Sequence, residues 1–237
     1  MNIAIIIAGG VGSRMGENIP KQFIKVFDKP ILVYTLESFE QHPKIDAIEV
    51  VCIDGWQQDV KEYAKCYGIT KLKWITAGGN TSQESIRNGV KNLQGICRED
   101  DTIIIHDGVR PLVDEDVLTD VIDVCGRYGN AVSSLPYNEQ IFIIKDDIST
   151  ESYIPREILR RVMTPQAYTY GKLAKGYERA FAENIGITPS SYTNTMMVEL
   201  GETLYFAKGS DKNIKMTTQG DLDIFKGYIK NKFMETN

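Results

Sequence analysis

Two cations, Arg14 and Lys21, stand within and just behind a glycine-rich run, "IIIAGGVGSRMG" (residues 5–16), and they set the first chemical question. Gly9, Gly10 and Gly12 let backbone N–H groups come close to an anion, and a helix beginning behind them would add the positive end of its dipole. Glycines alone also serve any tight turn from a strand into a helix. The spacing G-G-x-G-x-x-x-G matches neither G-x-G-x-x-G nor G-x-x-x-x-G-K-[ST], so the dinucleotide and P-loop readings both lose ground. Two cations in one short loop suit a triphosphate better than the pyrophosphate of a dinucleotide. Either cation by itself also reads as a solvated surface residue.

Three further stretches carry groups of the same kind. In "TAGGNTSQES" (residues 76–85), Gly78 and Gly79 permit close backbone approach and Asn80 and Ser85 could read the edge of a base; the plainer reading is a glycine turn with Asn80 or Thr81 capping a helix. "IIIHDGVRP" puts Asp107 and Arg110 just past a run that reads as a buried central strand, where a carboxylate commonly holds Mg²⁺ on phosphate oxygens. His106 beside them reads as a structural histidine. In "GSDKNIKMTT" (residues 209–218), Lys215 lies between β-prone residues and a helix and can reach the same mouth, although alone it is a surface lysine.

The elements that must position these groups alternate. Strands are expected at residues 2–7, 47–53, 71–75, 102–106, 130–135 and 203–207, and helices at 32–39, 57–67, 82–93, 117–128 and 220–233. Alternation of this kind predicts an α/β fold, a mostly parallel central sheet with helices on both faces, whose ligands sit beyond the carboxyl ends of the strands. "EQIFIIKDDISTESYI" (residues 139–154) breaks the pattern and reads as a hairpin around Asp146 and Asp147. It either packs on the sheet as an edge or reaches a second subunit.

At 237 residues with 42% hydrophobic content, the chain is long enough for one sizeable core, and a single domain with an excursion at residues 136–156 is expected. A net charge of −5 argues against unassisted binding to nucleic acid or an anionic membrane. Cys52, Cys66, Cys97 and Cys125 form no C-x-x-C pair and read as buried, reduced thiols. The apolar start is too short to span a bilayer and lacks the flanks of a signal peptide, which places the expected location in the cytoplasm.

Taken together, "AGGVGSRMGENIPKQF", "AGGNTSQESIRNG", "IIIHDGVRPLV", "RRVMTPQAY" and "KNIKMTTQGDL" resemble, in order and spacing and nearly end to end, the cytidylyltransferases that activate small polyol phosphates. That family comprises the 2-C-methyl-D-erythritol 4-phosphate enzymes and the related ribitol-5-phosphate enzymes. The resemblance implies a Rossmann-like nucleotidyltransferase fold, a homodimer, and Mg²⁺-dependent transfer of CMP from CTP with release of pyrophosphate. By motif, Ala8, Gly9, Gly10 and Gly12 would wrap the triphosphate, Arg14 and Lys21 would neutralise it, and Gly79, Asn80 and Ser85 would face the cytosine. Asp107 would hold the metal, Arg110 would line the polyol site and Lys215 would contact the α-phosphate. The family's projecting β-arm crosses to the partner subunit, and Arg156 matches an arginine that helps to bind the acceptor phosphate. The residue types agree with such chemistry: a phosphate monoester is already an ionised nucleophile, so the site has to neutralise and align rather than supply a base.

The chain departs from the family pattern at four places, three of them near the acceptor or the second metal ligand. Ser82 stands where arginine is usual, Glu139 and Gln140 where Asp-Thr is usual, and "YTNT" (residues 192–195) where "TDDA" is usual; in "KNIK" the usual acid before Asn213 is Lys212, with Asp211 one place earlier. Thr193 or Thr195 is then the candidate for the acceptor phosphate. The first reading of the acceptor is 2-C-methyl-D-erythritol 4-phosphate. The alternative is ribitol 5-phosphate or another alditol phosphate of teichoic acid or capsule assembly. A CTP-binding pseudoenzyme, motivated by the missing acidic pair, and a dinucleotide-dependent oxidoreductase complete the alternatives.

Overall fold

Ile3 and Ile5 face one side of the first strand, Ala4 and Ile6 face the other, and all four are fully buried. A strand covered on both faces reads as a continuous apolar run instead of an alternating one, which is why residues 3–7 contain no polar side chain. The computed structural model describes residues 1–10, 19–188 and 191–235. Gly12 and Arg14 lie outside the described residues.

In chain order the elements are β1 (Asn2–Ala8), β2 (Lys25–Val26), β3 (Lys29–Pro30), α1 (Ile31–Gln41), β4 (Ala47–Cys52), α2 (Gln57–Cys66), β5 (Leu72–Ala77), α3 (Ser82–Asn92), β6 (Thr102–Asp107) and α4 (Glu115–Tyr128). There follow β7 (Asn130–Pro136), β8 (Ile141–Asp146), β9 (Ser149–Ile154), β10 (Arg160–Thr169), α5 (Tyr170–Glu183), α6 (Thr193–Glu199), β11 (Phe206–Lys208) and α7 (Gln219–Glu235). The seven-stranded sheet has the order β11-β7-β10-β6-β1-β4-β5. All of its neighbours pair in parallel except β10, which runs antiparallel to both β6 and β7. Buried side chains of α1, α2 and α4 pack one face, and those of α3, α5 and α6 pack the other. Leu222, Phe225 and Ile229 of α7 close over α1, with the Phe225 ring edge-on to Tyr34.

The expected mostly parallel α/β sheet is therefore present. Two differences have physical causes. β10 is absent from the expected strands because Pro165 lies in its middle, and proline removes a ladder donor. The register shift between Met163 and Gln166 absorbs it, and pairing resumes at Gln166 with Ile105 and Val132. β11 is shorter than expected because the Asn130 side chain takes the neighbouring backbone, donating to the Thr203 carbonyl at 2.9 Å and accepting from Tyr205 N–H at 3.0 Å.

The hairpin β8–β9 forms its own two-stranded sheet between the paired ends of β7 and β10, so it extends from the main sheet and is not one of its edges. Cys52 and Cys125 are buried and burial pushes both thiols up to about 12, whereas Cys66 is exposed, against the expectation of buried thiols throughout. Among the described residues no helix is long and apolar enough to cross a membrane.

Candidate active site

Asp107 ends β6 at the carboxyl edge of the sheet, beside the end of β1. Its carboxylate is held from two sides. Arg110 Nε donates to Oδ2 at 2.9 Å, and Lys215 Nζ lies 3.2 Å from Oδ2 and 3.3 Å from Oδ1. The third contact is Thr164 of β10, whose hydroxyl accepts from Asp107 N–H at 3.2 Å. Burial alone would raise the carboxyl's pKa, but the ammonium of Lys215 and the guanidinium of Arg110 outweigh it and hold Asp107 well below the usual carboxylate range.

Backbone clamps bring Lys215 there. Met216 N–H donates to the Val109 carbonyl at 2.9 Å, and Arg110 Nη1 donates to the Asn213 carbonyl at 2.6 Å. Asn213 is buried and its Nδ2 donates to the Thr164 carbonyl at 2.7 Å, so one short segment is pinned to both β10 and the loop after β6. His106 is fully buried against Phe39, with Nε2 donating to the Arg110 carbonyl at 3.0 Å and Nδ1 without a partner among the described residues. Burial pushes its pKa down to about 4, so it is a neutral structural side chain, as its sequence context suggested.

The two glycine loops meet. A Cβ built on Gly9 would stand 3.2 Å from Ser85 Oγ and 3.9 Å from Gly78 Cα, and one on Gly78 would stand 3.2 Å from the same hydroxyl. Ser85 Oγ is spent on this junction, accepting from Gly79 N–H at 3.0 Å and donating to the Thr81 carbonyl at 2.9 Å. Gly79 has no alternative residue, because a Cβ there would lie 2.3 Å from Glu84 Cβ. Thr81, not Asn80, caps α3, accepting from Glu84 N–H; Asn80 N–H donates to the Glu84 carboxylate at 2.7 Å. Beneath the first loop, buried Gln22 donates from Nε2 to the Ala8 carbonyl at 2.6 Å and to the Gly10 carbonyl at 3.1 Å. Lys21 opens the same short 3-10 turn (Lys21–Phe23), which keeps it next to the loop.

A cavity of about 310 Å³ lies at this edge, lined by Asp107, Arg110 and Lys215 at its charged part and by Gln166, Tyr192 and Thr193 among its other walls. Arg156 does not line it. That residue sits at the foot of the hairpin, donating from Nη1 to the Asn138 carbonyl at 3.3 Å, and faces a separate hollow of about 490 Å³ with Gln140, Phe142 and Tyr153. Asp211 is paired with exposed Arg161, and Lys212 lines a third cavity, so neither sequence candidate near Asn213 joins the Asp107 site. Among the described residues there is no group of three acidic, histidine or cysteine side chains fit to hold a metal by themselves. A lone carboxylate suits Mg²⁺ bound mainly through substrate phosphates. Gln22, Thr164, Asn213 and Gln166 were not singled out from sequence, because neutral side chains that position others carry no charge signature.

The chain matches the family model of 2-C-methyl-D-erythritol 4-phosphate cytidylyltransferase (IspD) over residues 2–231. It is 58% identical to a ribitol-5-phosphate cytidylyltransferase of Lacticaseibacillus paracasei, over 98% of this chain and 99% of that protein. It is 37% identical to a 2-C-methyl-D-erythritol 4-phosphate cytidylyltransferase of Clostridium acetobutylicum, over 94% of both. In fold it is similar to the crystal structure of 4-diphosphocytidyl-2C-methyl-D-erythritol synthase from Anaerococcus prevotii, with a TM-score of 0.81 at 23% identity over 97% of this chain and 98% of that one.

Proposed function

Because the chain belongs to the 2-C-methyl-D-erythritol 4-phosphate cytidylyltransferase family and is therefore a nucleotidyltransferase that uses CTP, we propose that its acceptor is ribitol 5-phosphate, with CDP-ribitol and pyrophosphate as products. The observation that carries the acceptor is the full-length 58% identity to a ribitol-5-phosphate enzyme, against 37% to one acting on methylerythritol phosphate. This favours the second of the two acceptors expected from sequence over the first.

Charge is the main obstacle to the reaction, since a phosphate dianion must approach the α-phosphorus of a triphosphate. Arg110 and Lys215, held at the cavity by Asp107 and by the Asn213 clamp, supply fixed positive charge where the two anions meet. The Gly9 and Gly78 loops, braced by Gln22 and Ser85, would orient the nucleotide with Arg14 and Lys21 on its phosphates. The acceptor oxygen then attacks in line and pyrophosphate leaves, with no general base required. Asp107 is the residue that would hold Mg²⁺, which when bound offsets charge on the phosphate oxygens. Arg156, remote from the cavity of its own chain, would complete the site of a partner in a homodimer through the β8–β9 arm. The absence of a membrane-crossing helix among the described residues is compatible with action in the cytoplasm.

The test is pyrophosphate release from CTP and Mg²⁺ with a panel of polyol phosphates. Ribitol 5-phosphate should give the highest kcat/KM; preference for methylerythritol phosphate would overturn the acceptor, and CTP binding without turnover on any acceptor would favour a pseudoenzyme.

A further inference from the structure

Thr193 opens α6 at the wall of the Asp107 cavity, and the direction of its hydroxyl proton can be read from a buried chain of hydrogen bonds. The chain starts at the Gly186 carbonyl, which can only accept. Gln83, 1% exposed, donates to it from Nε2 at 2.9 Å, and this fixes which way the amide points. Gln83 Oε1 therefore faces Tyr177, which donates its one phenolic proton there at 2.9 Å. Burial pushes the Tyr177 phenol well up, so that proton stays in place. Thr193 Oγ1 lies 2.8 Å from the same phenol oxygen, and with the phenolic proton spent on Gln83 the hydroxyl of Thr193 must be the donor in that pair.

With its proton committed in this way, any hydrogen bond that Thr193 Oγ1 makes to a group in the cavity is one it accepts. It can accept from a hydroxyl but cannot donate to a phosphate oxygen. Gln166, which lines the same cavity, is the complement: its Oε1 accepts from the buried Tyr168 hydroxyl at 2.9 Å, leaving Nε2 to donate. A polyol hydroxyl both donates and accepts, whereas a phosphate dianion only accepts. On the polyol-phosphate reading given above, we propose that Thr193 Oγ1 accepts a hydrogen bond from a hydroxyl of the acceptor's carbon chain and so reads the polyol, not its phosphate. Gln83 and Tyr177 are then positioning residues that set the polarity of Thr193.

The experiment compares kcat/KM on ribitol 5-phosphate and on its monodeoxy analogues, each lacking one hydroxyl, for the wild-type protein and for Thr193→Val, Thr193→Ser and Tyr177→Phe. Thr193→Val should lose more than about tenfold on ribitol 5-phosphate. It should lose nothing further on the one analogue whose missing hydroxyl is the partner, while KM for CTP is unmoved. Thr193→Ser, which retains Oγ, should retain the discrimination among analogues. Tyr177→Phe frees the proton of Thr193 and should weaken the same discrimination without touching Thr193 itself, which guards against misfolding of the valine variant. An equal loss on every analogue, in either variant, would mean a phosphate ligand or a purely structural residue and would overturn the inference. If the wild-type protein releases no pyrophosphate with any polyol phosphate, the functional reading fails first and the inference with it.

Discussion

Lys215 and Asp107, 108 residues apart in the chain, form an ion pair with Nζ 3.2 Å from Oδ2, and Arg110 Nε binds the same oxygen at 2.9 Å. One carboxylate thus fixes two cations at one cavity. Asp107→Asn leaves the shape but removes the charge that aims them. It should lower kcat/KM by at least about 100-fold, roughly 3 kcal/mol of transition-state stabilisation. Pyrophosphate release measures it, and a loss under about fivefold would count against the arrangement. Because the pair holds the Asp107 carboxyl well below its unfolded value, the stability it adds is present above about pH 4 and is lost only as pH falls further. Asp107 should therefore contribute no acid limb to the pH–rate profile above about pH 5.

Gln22 braces the glycine loop from below by donating to the Ala8 carbonyl at the end of β1 and to the Gly10 carbonyl two residues on. Gln22→Leu keeps the buried volume and removes both bonds. The expected outcome is a fall in kcat/KM for CTP of about 10- to 100-fold from lost preorganisation. KM for the acceptor should change far less. Steady-state kinetics with each substrate varied in turn distinguish this from a general loss of folded protein, which would lower only the apparent enzyme concentration.

Glu49 gives a pH prediction away from the site. It is fully buried on β4, accepts from Thr76 and Asn92 through Oε1, and has no partner for Oε2 among the described residues. Burial raises its pKa to about 7 from an ordinary 4.5, against the two hydrogen bonds that lower it. Between those values the folded protein keeps a proton that the unfolded chain gives up, so stability declines as pH rises and is reduced by about 3 kcal/mol above pH 7. Glu49→Gln keeps Oε1 as an acceptor and abolishes the titration. Urea unfolding should show the variant more stable at pH 8 and similar at pH 4.5; parallel pH curves for the two proteins would show that Glu49 does not titrate between these states.

What could be read from sequence follows the same division between charge and position. The parallel strands were legible because residues 3–7 and 103–105 are unbroken apolar runs, the pattern of strands covered on both faces. Asp107 was legible because an acid at a strand end has few structural uses, whereas Arg110 and Lys215 took their roles from the family resemblance; the structure brings all three to one cavity. β10 was hidden by Pro165, whose cost is absorbed by a register shift visible only in three dimensions. Thr193 was placed at the acceptor, but its polarity depends through Tyr177 on Gln83, which is far along the chain from it, and on the Gly186 carbonyl that orients Gln83. Hydrogen-bond direction is a property of the whole chain of partners and leaves no local mark.

The arm raises the remaining prediction. Ile144 and Ile148 are 81% and 97% exposed, Phe142 and Tyr153 lie bare beside them, and Arg156 sits at the arm's foot outside the cavity that holds Lys215. Large apolar side chains displayed on a projecting hairpin favour burial against another molecule. If a second copy is that molecule and receives Arg156 into its Asp107 cavity, each site is built from two chains. Arg156→Ala and Lys215→Ala should each be inactive alone. In a mixed dimer, the chain carrying Arg156→Ala still owns an intact Lys215 and receives an intact arm from its partner, so one of two sites works. With random exchange half of all dimers are mixed, and the mixture should recover about a quarter of the wild-type rate. A site made within one chain predicts no recovery, because every chain in the mixture carries a defect. Light scattering on the same samples checks that the species is a dimer, and loss of both dimer and recovery on replacing residues 141–154 with a short glycine-serine turn would tie the two observations to the arm itself.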